Sequence, residues 1–263
     1  MLTYISANTA SSGINNHVVL LLHAFPLSAA MWQPQIAALA EKGFTVIAPN
    51  AYGIDGSEEK ECWTFTEYAH ELSKLLESLG IKKATIAGLS MGGYQAFEFY
   101  RLYPDKTASL VLCDTRAEGD APEARTTREE FIFAVKTGGA EEAIRRMIPN
   151  YFTTETYAKR PELVAQTEDI IRKQPANVIT GAMRAIMMRS DASTLLASIQ
   201  CPVVVINGAE DKPTPPETAK SISSRIPGSQ FKLIAEAGHL SNMEQPEEFN
   251  RALLDHIKKV LLT

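Results

Sequence analysis

Short runs of apolar residues alternate along the chain with segments in which apolar residues recur at a helical period. The runs are rich in β-branched residues and almost continuously hydrophobic, which is typical of parallel strands buried on both faces. We predict strands over Val18–Leu22, Thr45–Ala48, Ala84–Ala87, Ser109–Cys113, Val203–Asn207 and Phe231–Ile234. The helical period is clearest over Phe65–Leu79 and Phe249–Leu262. Strands separated by helices predict an α/β fold with one mostly parallel, doubly wound sheet flanked by helices.

The alternation is interrupted between about residues 116 and 198. This stretch has helical composition, four prolines and no convincing strand. Its predicted helices are Thr126–Lys136, Ala140–Ile148, Pro161–Lys173 and Asn177–Arg189. We therefore expect a core domain made of residues 1–115 and 199–263, with residues 116–198 inserted into it as a helical cap. A chain of 263 residues has the right length for this arrangement.

Composition and charge narrow the classes of partner. The formal net charge is −5 and no long run of Lys or Arg occurs, so we expect no nucleic-acid partner. The apolar run Val18–Leu22 is far too short to span a bilayer, and Met1–Gly13 has neither a basic nor an apolar signal region. Three cysteines without a C-x-x-C pair are typical of a reducing compartment. We expect a cytoplasmic protein without a membrane partner; its oligomeric state stays open.

One predicted strand leads directly into the sequence Gly88-Leu89-Ser90-Met91-Gly92-Gly93, with a helix expected from about Tyr94. In this G-x-S-x-G pattern a sharp strand-to-helix turn exposes the serine hydroxyl, and the glycines avoid steric clashes in the turn. The five-residue pattern is common by itself, but its position at a strand–helix junction is informative. We predict Ser90 as a nucleophile.

A nucleophilic serine needs a base and an acid that orients the base. His239 follows the last predicted strand, and Asp211 follows the strand before it, so both lie at the carboxyl edge of the sheet where ligands bind. We assign His239 as the base and Asp211 as the acid, in the chain order expected for this fold. Glu210 and Asp114 stay as rival acids, although we interpret Asp114 as a local cap on the chain entering the inserted helices.

The predicted oxyanion hole consists of two backbone N–H groups, those of Met91 and Phe25. Met91 follows the nucleophile, and Phe25 lies in the loop after the first strong strand. For substrate contacts we name Trp32, Met183 and Met187 as an apolar lining, with Arg184 as an anion contact. Packing in a helix core or a solvated helix face is the ordinary interpretation of such residues. The other cap arginines considered as anion anchors are Arg125, Arg128 and Arg189.

Four segments carry a resemblance to a known family: 23–27, 88–93, 208–211 and 238–246, the last reading Gly-His-Leu-Ser-Asn-Met-Glu-Gln-Pro. They resemble the α/β-hydrolase superfamily, and within it the small esterases and 3-oxoadipate enol-lactonases. Leu112 to Glu118 is similar to the same branch. Two features depart from the usual pattern. Ala24 replaces a glycine of the oxyanion loop, and the loop 49–57 lacks the usual Asp and Arg, so an ion pair is lost.

The resemblance implies an α/β-hydrolase fold and a serine hydrolase that cleaves small carboxylic esters or lactones through an acyl-enzyme. It implies no cofactor and no metal, and no metal-ligand spacing occurs in the chain. A serine at position 90 argues against a haloalkane dehalogenase, which uses an aspartate there. Three further functions stay open: a carbon–carbon bond hydrolase, a cofactor-free perhydrolase, and a small-molecule receptor on a hydrolase scaffold.

Overall fold

The computed structural model describes residues 1–8 and 17–262. Part of Met1–Gly13, for which we expected no signal region, therefore lies outside the described residues. The strands are β1 (Tyr4–Ala7), β2 (Val18–Leu22), β3 (Thr45–Pro49), β4 (Ala84–Leu89), β5 (Thr107–Cys113), β6 (Val203–Gly208) and β7 (Gln230–Ile234). The α-helices are α1 (Gln33–Glu41), α2 (Phe65–Ser78), α3 (Met91–Leu102), α4 (Pro122–Met147), α5 (Thr154–Lys159), α6 (Pro161–Arg172), α7 (Ala176–Met187), α8 (Pro216–Arg225), α9 (Ser241–Glu244) and α10 (Pro246–Leu261).

The strands form one sheet in the order β1-β3-β2-β4-β5-β6-β7. β1 pairs antiparallel with β3, and the other neighbouring strands pair parallel. The strand order reverses at β2, which lies between β3 and β4. This reversal opens a crevice at the carboxyl ends of β2 and β4, where open α/β sheets bind ligands. The predicted α/β fold with a mostly parallel sheet is confirmed.

Burial explains which strands the sequence revealed. Every residue of β2, β4 and β6 is buried, so these strands are written as continuous apolar runs. β1 lies at an edge, is four residues long and alternates between exposed and half-buried positions, and we missed it. β7 lies at the other edge, where Leu233 is exposed.

Helices fill the segment between β5 and β6, and the residues described there include no strand. Gly139 has a φ of 68° and interrupts α4, which is why the sequence predicted two helices across this region. We missed α5, a helix of six residues that begins after Thr153, whose hydroxyl accepts a hydrogen bond from the Thr156 N–H. The division of the chain into a core domain and a cap domain stays a prediction.

The start of α2 is fixed by a reciprocal pair of hydrogen bonds. The Thr64 hydroxyl accepts the Glu67 N–H at 3.1 Å, and the Glu67 carboxylate accepts the Thr64 N–H at 2.8 Å. Such a capping box satisfies two backbone donors that the first helical turn leaves unpaired. It therefore holds the first turn of α2 in place, next to a cavity considered below.

Candidate active site

The turn between β4 and α3 places Ser90 at the carboxyl edge of the sheet. Ser90 has φ 55° and ψ −112°, a backbone conformation that residues other than glycine rarely adopt. The backbone around it is packed too closely for further side chains. A Cβ at Gly88 would lie 2.1 Å from the Gly92 carbonyl oxygen, and a Cβ at Gly92 would lie 2.1 Å from the Leu22 carbonyl oxygen. Both glycines are therefore needed to form the turn that presents Ser90.

The structure brings Ser90, His239 and Asp211 together. Nε2 of His239 lies 2.9 Å from Oγ of Ser90, and Nδ1 of His239 lies 3.0 Å from both carboxylate oxygens of Asp211. His239 and Asp211 are buried, whereas Ser90 is half-buried. This geometry lets the histidine ring accept a proton from the serine while the carboxylate fixes the ring.

Thr214 holds the carboxylate of Asp211 with two further hydrogen bonds. Its N–H donates to Oδ1 at 2.9 Å and its hydroxyl donates to Oδ2 at 2.6 Å. Burial opposes ionisation of Asp211, but the bonds and charge of His239 and the two bonds from Thr214 outweigh it. The pKa of Asp211 therefore lies below its ordinary value. Sequence reasoning missed Thr214. The signal that could have revealed it is its position in the same short loop, three residues after Asp211.

The rival acids lie elsewhere. Glu210 is exposed and makes no described bond to His239. Asp114 is fully buried, accepts the Gly208 N–H at 2.7 Å, and accepts the Ser241 hydroxyl at 2.5 Å. Burial first, and then the negative charge of Asp211, raises the pKa of the Asp114 carboxyl well above its usual range.

Our interpretation of Asp114 as a local cap was therefore wrong. Its side chain turns back under the site and joins the end of β6 to the start of α9, instead of facing the inserted helices. A pattern of single residues after a strand does not reveal this long-range bridge.

The residues of the two predicted oxyanion donors lie next to Ser90 in the chain and along the same cavity, respectively. Met91 is the first residue of α3, so its N–H has no partner within the helix. Phe25 follows β2 and lines the same cavity as Ser90. In the part of the chain that the structure describes, neither N–H donates to a protein acceptor. Two free donors near a nucleophile form a site for developing negative charge.

His23 holds the loop that carries Phe25. His23 is fully buried, and its Nε2 accepts the Ala51 N–H at 3.0 Å, so its Nδ1 carries the proton donated to the Ala24 carbonyl at 2.9 Å. Ala24 does not have a positive φ, so its side chain fits this loop without backbone strain.

Tyr151, which lies between α4 and α5, connects the inserted helices to the site. Its carbonyl accepts the N–H groups of His239 and Leu240 at 2.9 and 3.2 Å, and its hydroxyl donates to the Phe25 carbonyl. Its ring stacks on the His239 ring with centroids 5.6 Å apart. Glu244 adds a second connection by accepting the N–H groups of Gly238 and Thr153 at 2.5 and 2.8 Å. The sequence carries no local signal for Tyr151, because its partners are distant along the chain.

A cavity of about 140 Å³ lies over Ser90. The sheet side contributes Phe25, Ser90 and His239, whereas the inserted segment contributes residues of α4, α7 and the link between α4 and α5. The residues from that segment are Arg116, which precedes α4, and Arg128, Met147, Tyr151 and Ile186. The cavity is therefore bounded by both parts of the chain.

None of the four predicted substrate contacts lines this cavity in residues 1–8 and 17–262. Trp32 is fully buried and packs against Phe249 with ring centroids 6.0 Å apart. Met183 is buried and receives a hydrogen bond from Arg128 at 3.4 Å, while Met187 and Arg184 are half-buried on α7. Trp32 and Met183 therefore pack inside the protein. Ile186 is the α7 residue that reaches the cavity.

Neither a metal-binding cluster nor a membrane-spanning helix occurs among the described residues. No group of three or more His, Cys, Asp or Glu side chains there is arranged to hold a metal ion. No helix among them has the length and apolar character needed to cross a membrane.

The family model for the alpha/beta hydrolase fold matches residues 17–246. The chain belongs to the α/β-hydrolase family. An esterase from Thermogutta terrifontis, solved with malate bound, is 36% identical, with a TM-score of 0.93 over 98% of this chain and 93% of that one. The predicted resemblance to small esterases and enol-lactonases is confirmed.

Two curated relatives extend the comparison. 3-oxoadipate enol-lactonase 1 of Acinetobacter baylyi is 29% identical over 88% of this chain and 84% of its own length. The 2-hydroxy-6-oxononadienedioate/2-hydroxy-6-oxononatrienedioate hydrolase of Burkholderia vietnamiensis is 25% identical over 94% of this chain and 89% of its own length. The relatives therefore share the fold but act on different substrates.

Proposed function

We propose that this α/β hydrolase cleaves small carboxylic esters or lactones through an acyl-enzyme on Ser90. The observation that supports this proposal most strongly is the continuous series of hydrogen bonds from Ser90 through His239 to Asp211. Two backbone N–H groups without a described protein acceptor, those of Phe25 and Met91, accompany it. The chemistry needs no group beyond these side chains and N–H groups. We further propose that α4–α7 act as a cap over the site.

In the first half-reaction Oγ of Ser90 attacks the substrate carbonyl carbon while Nε2 of His239 takes the hydroxyl proton. The carbonyl oxygen becomes an oxyanion and is bound by the N–H groups of Phe25 and Met91. Each such donor contributes about 3 kcal/mol to stabilisation of the transition state. The histidinium is stabilised by Asp211. It then gives its proton to the departing alkoxide, and the alcohol leaves an acyl group on Ser90.

In the second half-reaction a water molecule takes the place of the alcohol. His239 removes its proton as the water oxygen attacks the acyl carbon, and the oxyanion forms again in the same hole. Collapse of this intermediate breaks the bond to Oγ of Ser90, which regains its proton from His239. The products are a carboxylic acid and the free enzyme. For a lactone, the alcohol and the acid are parts of one product.

The similarity to the Thermogutta terrifontis esterase and to an enol-lactonase supports ester or lactone cleavage. The relative from Burkholderia vietnamiensis keeps carbon–carbon cleavage open as a second function of the same three residues. Activity as a perhydrolase and a role as a small-molecule receptor also stay open. Cytoplasmic location and the absence of a nucleic-acid partner stay predictions.

The test is hydrolysis of 4-nitrophenyl esters from acetate to octanoate by the wild type and by Ser90→Ala. Ser224→Ala, on the exposed face of α8, is the matched control. We expect turnover by the wild type and the control, and a fall in kcat of about ten-thousand-fold or more in Ser90→Ala. A folded wild type without turnover on any ester would refute the proposal and favour the carbon–carbon hydrolase or the receptor.

A further inference from the structure

A second cavity, of about 310 Å³, adjoins the cavity over Ser90. It is lined by residues along α3, by the start of α2, and by the chain that leaves α7. Within the described structure, Tyr94 and Arg116 are the residues that line both cavities. These two side chains therefore form the partition between the larger cavity and the site of the nucleophile.

Three of the four arginines that line the two cavities form ion pairs with carboxylates. Arg101 pairs with Glu98 at 2.6 Å in the larger cavity. Arg128, in the cavity over Ser90, and Arg189, in the larger one, both pair with Asp120, at 2.5 and 2.7 Å. Arg189 and Asp120 are almost completely buried, so this pairing belongs to the framework of the protein.

Arg116 is different, because in residues 1–8 and 17–262 it has no carboxylate within ion-pair distance. Its described hydrogen bond runs from Nη2 to the Pro213 carbonyl oxygen at 2.5 Å. A guanidinium carries five N–H donors, so this bond leaves donors available. Asp191, an acid of the larger cavity, makes no described ion pair with Arg116, and its carboxylate accepts the Ser193 N–H at 2.7 Å.

Arg116 lines the cavity over Ser90 together with Ser90 and His239. It follows Thr115, whose hydroxyl donates to the carbonyl oxygen of Ser90 at 2.8 Å. It is half-buried, so its positive charge is only partly hydrated. Holding the Pro213 carbonyl needs a donor but not a charge. The contacts among the described residues therefore do not explain the charge.

The other half of the partition is fixed. Cζ of Arg189 lies 4.4 Å from the centroid of the Tyr94 ring, and this cation–π contact holds the ring in place. The Arg116 side chain forms the rest of the partition, between the cavity over Ser90 and the larger cavity.

We propose that Arg116 binds a carboxylate of the substrate, so that the site takes esters or lactones that carry a second, ionised carboxyl group. The planar fork of a guanidinium fits a carboxylate with two hydrogen bonds and neutralises it. The substrate carbonyl lies at Ser90 while its carboxylate lies at the junction of the cavities. This inference rests on the proposed function and specifies its substrate class.

The test uses two esters that differ in one group. 4-Nitrophenyl hydrogen adipate ends in a carboxylate, and 4-nitrophenyl hexanoate has a methyl group in its place. We expect Arg116→Gln to lower kcat/KM for the adipate ester by about 10-fold or more, chiefly through KM, and to change the hexanoate value less than about 2-fold. Arg116→Lys keeps the charge and should recover a large part of the loss.

Arg128→Gln is the matched control, because it removes an arginine of the same cavity that is already paired with Asp120. It should change both esters by the same factor. Equal losses for the two esters in Arg116→Gln, no loss at all, or the same selective loss in Arg128→Gln would each overturn the proposal.

If Arg116→Gln does not fold, the wild type decides, since the proposal requires a lower KM for the adipate ester than for the hexanoate ester. Turnover of the hexanoate ester that depends on Ser90 tests the proposed function separately. Failure of the carboxylate contact can therefore be distinguished from failure of the proposed function.

Discussion

Two buried histidines make the stability of this protein depend on pH in a defined window. Burial lowers the pKa of both His23 and His256 from 6.5 to about 4. At His23 the hydrogen bond to Ala24 partly offsets this lowering of the pKa, whereas at His256 nearby positive charges lower the pKa further. In the described residues, Nε2 of His256 is buried without a hydrogen-bond partner. Both rings are therefore neutral in the folded protein near pH 7.

The sign follows from proton binding. Below pH 6.5 the unfolded chain binds a proton at each histidine, whereas the folded protein resists protonation until about pH 4. Stability is therefore complete above pH 6.5 and falls as the pH drops toward 4. Each histidine is expected to cost about 2 kcal/mol of unfolding free energy at pH 5 and about 3 kcal/mol at pH 4. At His23, protonation would also place an N–H against the Ala51 N–H and disturb the loop that carries Phe25.

The assay is urea unfolding, followed by circular dichroism at pH 7 and pH 5, of the wild type, His256→Gln and His23→Gln. The substitutions change stability at both pH values, so the informative quantity is the loss between the two. We expect each variant to lose about 2 kcal/mol less than the wild type between pH 7 and pH 5. Losses equal to that of the wild type in both variants would refute the reasoning.

Three further changes test separate parts of the site. Asp211→Asn should lower kcat on neutral esters by about 10⁴-fold, because an amide favours the wrong histidine tautomer; a loss below 10-fold would contradict the assigned role. Tyr151→Phe removes only the hydroxyl bond to the oxyanion loop and should cost about 1 kcal/mol in urea unfolding together with a several-fold fall in kcat; unchanged kcat would show that the loop does not need it. Gly92→Ala places a Cβ 2.1 Å from the Leu22 carbonyl oxygen and should destabilise the fold by about 3 kcal/mol or more. Gly119→Ala is the control and should be tolerated, because its Cβ would lie 3.6 Å from the nearest atom. Equal unfolding curves for the two alanine variants would contradict the packing argument.

The sequence predicted those candidate site residues that local sequence patterns reveal. The strands before Ser90 and Asp211 are buried throughout, and the strand before His239 is buried at its last residue. Because buried strands are apolar, the sequence showed where each strand ends. The polar residues after those ends were therefore the candidates for the site. Parallel strands bring their carboxyl ends to one edge, and this made residues distant in the chain predictable neighbours. Phe25 was found by the same argument.

The rest depends on contacts that only the folded chain creates. Tyr151 acts through partners on two other loops, and Asp114 bridges two elements that are distant from it along the chain. Trp32 and Met183 illustrate the opposite error, since large apolar side chains at helical spacing serve the core unless a cavity happens to open beside them. Arg116 could have been singled out as a charge directly after a strand end, but its lack of a carboxylate partner is a property of the tertiary structure.

The central claim is that Ser90 is a nucleophile activated by His239. The most direct measurement is intact-mass and peptide-mapping mass spectrometry after treatment with a fluorophosphonate, which phosphonylates activated serines. The account predicts one adduct per chain, located on Ser90, and at least about 1000-fold slower labelling in His239→Ala. Labelling at another serine, or equal labelling rates with and without the histidine, would contradict it.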